Sequence, residues 1–222
     1  MKQTPIHASH NPDILKMMPN NLKRVVEVGC SSGALAKAYC SPNPDCRYTG
    51  IEIDAVFAEV ARQHCSEVVS GNIEEYDDEK FSTFFPSDCW IFGDVLEHLY
   101  DPWALLKRIR SHLTAEAQII ACIPNAQHWS VQALLNCGQF RYQDQGLLDR
   151  THIRWFTRIT MIELFESSGF KIIEGVPRVF DEPNRDRVLP SIRAMALASG
   201  ADPQQAVDDA IPVQWVVKAV PK

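Results

Sequence analysis

The chain has 222 residues, 45% of them apolar and 23% charged, with 22 lysines and arginines against 28 aspartates and glutamates. That length suits one domain with a full core, and the net charge of −6 excludes general binding to nucleic acid or anionic membrane. No apolar run approaches the ~18 residues of a membrane span, and residues 1–7 lack the apolar core of a signal peptide.

A polar lead-in and a short helical stretch around Pro12 to Met18 fill residues 1–22. Arg24-Val25-Val26-Glu27-Val28 is a β-branched run closed by Gly29, which predicts a buried strand. Ala34 to Tyr39 forms a helix, stopped by Ser41-Pro42-Asn43-Pro44. Tyr48 to Ile53 is the second strand, Ala55 to Gln63 the second helix and Glu67 to Ser70 the third strand. An acidic, exposed connection around Tyr76 to Lys80 leads to the fourth strand, Cys89 to Phe92. Asp101-Pro102 opens a helix with Asp as N-cap and proline at its first position. Leu105, Leu106, Ile109 and Leu113 give that helix one apolar face. Gln118 to Ile123 is the fifth strand, Thr157 to Ser168 a helix closed by Gly169, Phe170 to Ile173 a strand and Val213 to Val220 the last strand. The alternation predicts an α/β fold, a doubly wound and mostly parallel sheet with helices on both faces, in a single domain over residues 1–222. Two stretches interrupt the rhythm, 126–156 and 181–210, and insertions at strand ends commonly carry specificity. Seven scattered cysteines with no C-x-x-C pair argue against a disulfide framework or zinc ribbon and for a cytoplasmic protein.

Ligands of such sheets bind at the carboxyl ends of the strands. The first strand runs into Gly29-Cys30-Ser31-Ser32-Gly33-Ala34. A dinucleotide fingerprint wants glycine where Ser31 stands, and a P-loop wants Gly-Lys-Ser/Thr where Gly33-Ala34-Leu35 stands. What remains is E-x-G-x-x-x-G, a tight turn suited to a nucleoside without a pyrophosphate. Glu52 lies 23 residues after Gly29, at a strand end where an acid accepts ribose hydroxyls.

Glu27 to Gly33, Gly50-Ile51-Glu52-Ile53-Asp54, Gly71-Asn72-Ile73-Glu74 and Gly93-Asp94-Val95-Leu96-Glu97-His98 occur in order. Over residues 10–175 this series resembles the class I S-adenosylmethionine-dependent methyltransferases, in the branch of the ubiquinone-pathway O-methyltransferases. The resemblance implies a seven-stranded sheet with its last strand antiparallel and S-adenosylmethionine as cofactor. It places Glu27, Gly29 and Gly33 at the methionine part with Cys30 beside them, Glu52 on the ribose and Ile53 on the adenine. Asn72, where the family usually has Asp, would accept the adenine amino group, with Ile73 next to it, and Asp94 and Val95 would line the cofactor.

A methyl acceptor on oxygen or nitrogen needs proximity and a group that takes its proton. Candidates cluster in Asp94 to His98 and in Asp149-Arg150-Thr151-His152-Ile153-Arg154, with His128 a further one. His152 is the expected base, with His98 and Asp94 beside it. The spacing also resembles the metal site of ubiquinone-pathway and small-RNA 2′-O-methyltransferases, which would make Asp94, Glu97, His98 and His152 cation ligands. Residues 126–156 form the expected acceptor-side lid. Its Trp129, Phe140, Tyr142 and Trp155 stand among Arg141, Arg150 and Arg154, a mixture suited to a sugar, an aromatic ring or an anion. The expected activity is O-methylation of a small metabolite or glycan hydroxyl, and the alternative is an inactive methyltransferase-like binding or scaffold subunit.

Overall fold

Seven strands form one sheet: β1 (Arg24–Val28), β2 (Arg47–Glu52), β3 (Glu67–Ser70), β4 (Cys89–Gly93), β5 (Gln118–Pro124), β6 (Phe170–Arg178) and β7 (Gln214–Pro221). The computed structural model describes residues 9–222, so part of the lead-in expected over 1–22, including residues 1–7, lies outside the described residues. The strand order is β3-β2-β1-β4-β5-β7-β6. β1 pairs in parallel with both β2 and β4, β4 with β5, whereas β7 runs antiparallel to β5 and β6. The order reverses between β1 and β4, the place where an open α/β sheet leaves a crevice at its carboxyl edge.

The helices are α1 (Pro12–Met17), α2 (Ala34–Cys40), α3 (Ala55–Ala61), α4 (Asp78–Ser82), α5 (Pro102–Arg110), α6 (Trp129–Asn136), α7 (Arg158–Ser167), α8 (Arg185–Ala198) and α9 (Pro203–Ala210). Side chains of a strand alternate between faces, and the core divides accordingly. Val26, Val28, Trp90, Phe92, Ile119 and Ala121 pack with α4, α5 and α7. Val25, Cys89, Ile91, Ile120 and Cys122 pack with α1 and α2 on the other side. The Leu105, Leu106 and Ile109 face of α5 is buried as its spacing predicts. Among the described residues no helix is long and apolar enough to cross a membrane, and all seven cysteines are free thiols.

The structure departs from the sequence reading in the connections. Asp77 caps α4 inside the stretch expected to be an exposed acidic connection, its side chain accepting from Lys80 N, and Tyr76 at the start of that stretch is buried. Both insertions contain helices: α6 takes up the early part of 126–156, whose remainder is irregular, and α8 and α9 make up most of 181–210. Pro190 stands inside α8, where a sequence reading takes proline for a breaker. The start of α9 carries the same Asp-Pro signal as α5, with Asp202 accepting from Gln204 N and Gln205 N.

Asn125, wholly buried at the exit of β5, ties the second insertion to the sheet. Its Nδ2 donates to the carbonyls of Asp209 at 2.7 Å and Pro212 at 2.8 Å, and its Oδ1 accepts from Gln127 N. Asn125→Ala leaves two buried carbonyls without their donor. Thermal melts should show a loss of about 2–4 kcal/mol, roughly 5–12 °C for a chain of this size. An unchanged Tm would mean that 181–210 is held by other contacts.

Candidate active site

A cavity of about 880 Å³ opens at the carboxyl ends of β1, β2, β4 and β5. Its floor is the turn after β1. Gly29 adopts φ +70°, and a Cβ there would sit 2.5 Å from Cγ2 of Val95, so only glycine lets the two cofactor-side loops approach. Ser31, at the position where dinucleotide-binding turns use glycine, is left-handed all the same, with φ 47°. Its N–H donates to Oε2 of Glu52 at 2.8 Å, and the N–H of Asp54 donates to Oε1 at 3.0 Å. Glu52 is thus gripped by two backbone donors and lines the cavity with lone pairs to spare. Burial raises its pKa, against the pull of those N–H groups.

Ile53, Asn72, Ile73 and Val95 line the same cavity. Ile53 is an apolar side chain left 56% exposed on the cavity wall. Asn72 caps a 3₁₀ turn at Ile73–Glu75, its Oδ1 accepting from Glu74 N and its Nδ2 donating to Glu75. Three residues expected at the methionine end, Glu27, Cys30 and Gly33, do not line this cavity. Glu27 is buried against Tyr48, whose hydroxyl donates to its Oε2 at 2.9 Å, and burial pushes the carboxyl up to about 8. Cys30 packs against Cys65, which with burial raises its thiol pKa. Gly33 opens α2 against Ala61 and His64.

Beyond β4, Asp94 is also left-handed, with φ 57°. Its N–H donates to the Cys122 carbonyl at 3.1 Å, and its Oδ1 accepts from Nε2 of Gln214. Arg178 holds that amide in turn, donating to Oε1 of Gln214 and, through Nε, to Asp13 at 3.2 Å. Burial pushes Asp94 up to about 6, opposed by Cys122, Arg178 and Gln214. So Asp94 lines the cavity but is not part of the cluster expected to ligate a cation. Its carboxylate is committed to β5 and β7.

The other three members of that set do meet. Glu97, 1% exposed, has no hydrogen-bond partner on either carboxylate oxygen. His98 donates from Nδ1 to the Thr151 carbonyl at 3.0 Å, and His152 donates from Nδ1 to the Leu147 carbonyl at 3.1 Å. Because a carbonyl only accepts, each ring's Nε2 is left as a lone pair. Both lone pairs lie 3.9 Å from Oε1 of Glu97, too far for a hydrogen bond. Burial lowers the pKa of both imidazoles and raises that of Glu97 strongly. The ligand atoms of the three residues fall within 4.8 Å of one another. A carboxylate with two neutral imidazoles, each with its far nitrogen bonded to a backbone carbonyl, is the donor set a divalent cation takes.

Part of the expected lid reaches the cavity: Gln145, Gly146, Leu147, Asp149, Thr151, His152 and Ile153 line it. The aromatic and arginine residues singled out in 126–156 do not. Trp129 donates to Glu182, and His128 caps α6 while also meeting Glu182. Phe140 meets Tyr142 edge to face and packs tilted against Trp155. Gln214, Arg178 and Glu182 were not legible as site or lid residues, since each acts from an element far along the chain.

Residues 26–119 match the model of a family described as a methyltransferase domain. No curated protein matches the sequence. Among solved structures the chain is similar to a mitomycin 7-O-methyltransferase, at 17% identity and TM-score 0.58 over 94% of this chain and 52% of that one. It is similar to a magnesium protoporphyrin IX methyltransferase from Synechocystis PCC 6803 with bound S-adenosylhomocysteine, at 11% identity and TM-score 0.61, covering 95% and 81%. It is likewise similar to a methyltransferase from Thermotoga maritima described as a possible histamine N-methyltransferase, at 16% identity and TM-score 0.61, covering 94% and 88%. The chain therefore spans about half the length of the first of these relatives. The fold is that of the class I S-adenosylmethionine-dependent methyltransferases, with the last strand antiparallel as expected.

The buried Glu27 gives a pH-dependent stability. The unfolded chain ionises this carboxyl near 4.5, whereas the folded chain keeps its proton up to about 8. Stability is therefore lost as pH rises between those values. Melts without ligand should show Tm falling across that window in the wild type. The fall should be shallower in Glu27→Gln; Glu52, Asp94 and Glu97, whose pKa values burial also raises, add to the slope, while His98, His128 and His152, whose pKa values burial lowers, oppose it and are common to both proteins. Parallel profiles would show that Glu27 is ionised throughout.

Proposed function

We propose that the chain is an S-adenosylmethionine-dependent methyltransferase of the cytoplasm, acting on a hydroxyl of a small molecule, with a divalent cation at Glu97, His98 and His152. The domain match over 26–119 implies the cofactor. The likeness of its motifs to ubiquinone-pathway O-methyltransferases supports transfer to oxygen. The observation that carries the reading is the meeting of the Glu52 cleft and the Glu97–His98–His152 cluster in one cavity.

When bound, S-adenosylmethionine supplies an electrophilic methyl group on its sulfur. Glu52, preset by Ser31 and Asp54, keeps lone pairs for the two ribose hydroxyls. Ile53 offers the adenine an apolar face, and Gly29 lets the turn close under the sugar. Methyl transfer is an in-line displacement, so orientation supplies most of the acceleration. Glu97, His98 and His152 would hold a divalent cation, which when bound would supply the Lewis acidity that lowers the pKa of an acceptor hydroxyl. His98 and His152 remain neutral near pH 7, as ligation requires. A general base at His152 without metal uses the same lone pair, but it leaves the unpartnered carboxylate of Glu97 unexplained.

Two outcomes test this. Glu52→Ala should weaken S-adenosylhomocysteine binding roughly ten- to hundredfold, since bonds to a charged group are worth about 1.5–3 kcal/mol. Equal affinities by calorimetry would remove Glu52 from the cofactor site. Mn²⁺ titrated into metal-free protein should bind at one site that is lost in both His98→Ala and His152→Ala, with S-adenosylhomocysteine binding retained. Chelator should then abolish methyl transfer from labelled cofactor until cation is restored. Transfer unaffected by chelator and cut about 10²–10⁴-fold by His152→Ala would favour the general base, and cofactor binding without any transfer would favour the inactive binding subunit.

A further inference from the structure

Gly50 stands inside β2, and a glycine within a strand marks a close approach. A Cβ there would lie 2.5 Å from Sγ of Cys30 and 3.2 Å from Sγ of Cys65, so two thiols share the space its side chain would fill. Both are free, with Cys30 buried and Cys65 partly open to solvent. The neighbouring thiol of Cys65 and burial raise the pKa of Cys30, which keeps its proton on sulfur. Ala58, Ala61 and Val68 pack around the pair, and neither cysteine lines the cofactor cavity.

The two cysteines belong to the two segments that grip Glu52. Cys30 precedes Ser31, whose N–H donates to Oε2 of Glu52. Its own backbone is committed to the same turn, donating to the Ile51 carbonyl at 3.3 Å and accepting from Gly33 N at 2.8 Å. Cys65 closes the turn after α3, donating to the Ala61 carbonyl at 3.0 Å. Asp54, at the other end of α3, supplies the second donor to Glu52. A disulfide brings its sulfurs to about 2.05 Å, well inside the separation of two free thiols. Closing one here pulls the turn after β1 against the end of α3, and the grip on Glu52 is made by those segments.

We propose that Cys30 and Cys65 are a peroxide-sensitive pair whose disulfide weakens the hold of the cleft on its cofactor. The proposal rests on the S-adenosylmethionine reading of that cleft and adds its regulation. The sulfur of Cys65, the member open to solvent, attacks one oxygen of hydrogen peroxide. The O–O bond breaks, and the Cys65 thiol proton leaves with the second oxygen as water. The Cys30 sulfur then attacks the sulfenic sulfur of Cys65, the S–O bond breaks, and the Cys30 proton leaves with the hydroxyl as a second water. Two thiols are oxidised to one disulfide, and one peroxide is reduced to two waters. A reducing compartment returns the pair to the dithiol, so the bond is transient there.

Peptide mapping and calorimetric titration with S-adenosylhomocysteine test this on the full chain, reduced or treated with hydrogen peroxide. Peroxide should link Cys30 to Cys65 and weaken S-adenosylhomocysteine about tenfold or more, and dithiothreitol should reverse both. By reciprocity, saturating S-adenosylhomocysteine should shift the balance toward the dithiol by the same factor. Cys65→Ser should bind like the reduced wild type and keep that affinity in peroxide, and Cys65→Ala repeats the test if melts show that serine disturbs the packing. A second pair of neighbouring thiols lies elsewhere, Cys40 ending α2 and Cys46 just before β2. Cys40→Ser should leave the response intact. Absence of a Cys30–Cys65 link, a link that leaves affinity unchanged, or an equal loss in the Cys65 variants overturns the proposal. Failure of the reduced protein to bind S-adenosylhomocysteine overturns the methyltransferase reading instead.

Discussion

Glu97 is a carboxylate without a hydrogen-bond donor in the interior of the protein. Burying a charge costs several kcal/mol unless it is paired, so the arrangement is stable only if the group stays protonated or meets a cation. Its surroundings are built around that second outcome. Two imidazoles present lone pairs to it, and both have had their protons fixed on the far nitrogen by backbone carbonyls. The backbone carbonyl of Glu97 in turn accepts from Ile153 N at 3.0 Å and Arg154 N at 2.9 Å. One residue therefore joins the loop after β4 to the loop before α7, and His152 is delivered to His98 by those two bonds.

The sheet explains why the joined loops sit beside a cofactor cleft. β1 and β4 are neighbours at the reversal of strand order, so the turn at Gly29 and the turn at Asp94 leave the sheet side by side. The close approach of Gly29 to Val95 couples them. Asp94 is then held from across β5 by Gln214 of β7, whose amide Arg178 of β6 holds in turn, and α1 contributes Asp13. The antiparallel β6–β7 pair thus supplies side chains to a site whose backbone comes from the parallel strands.

Much of this was legible in the sequence. A β-branched run closed by glycine marked β1, the strand–helix alternation marked the other parallel strands, and the distance from Gly29 to Glu52 pointed to the cleft. Alternation within β1 was the harder signal. Val26 and Val28 face one core cluster while Glu27 shares a buried contact with Tyr48, which packs on the opposite side with Val25, so an acid expected near the methionine ends behind the turn. Sequence spacing brought His152 near His98 only through family likeness. Nothing in the spacing reveals that Asp94 is captured by Gln214, 120 positions away. The arginines of 126–156 illustrate the same limit. Composition places them near the site, but side-chain direction turns Arg150 and Arg154 away from the cavity.

The most direct measurement is anomalous diffraction at the manganese edge from crystals grown with Mn²⁺ and S-adenosylhomocysteine. The account requires one peak about 2.0–2.3 Å from a Glu97 carboxylate oxygen and from Nε2 of both His98 and His152. It also requires the nucleoside to lie in the same cavity with its ribose on Glu52. A cofactor-bound crystal with no peak there, and with Glu97 hydrogen-bonded to a water or to an imidazole, would contradict it.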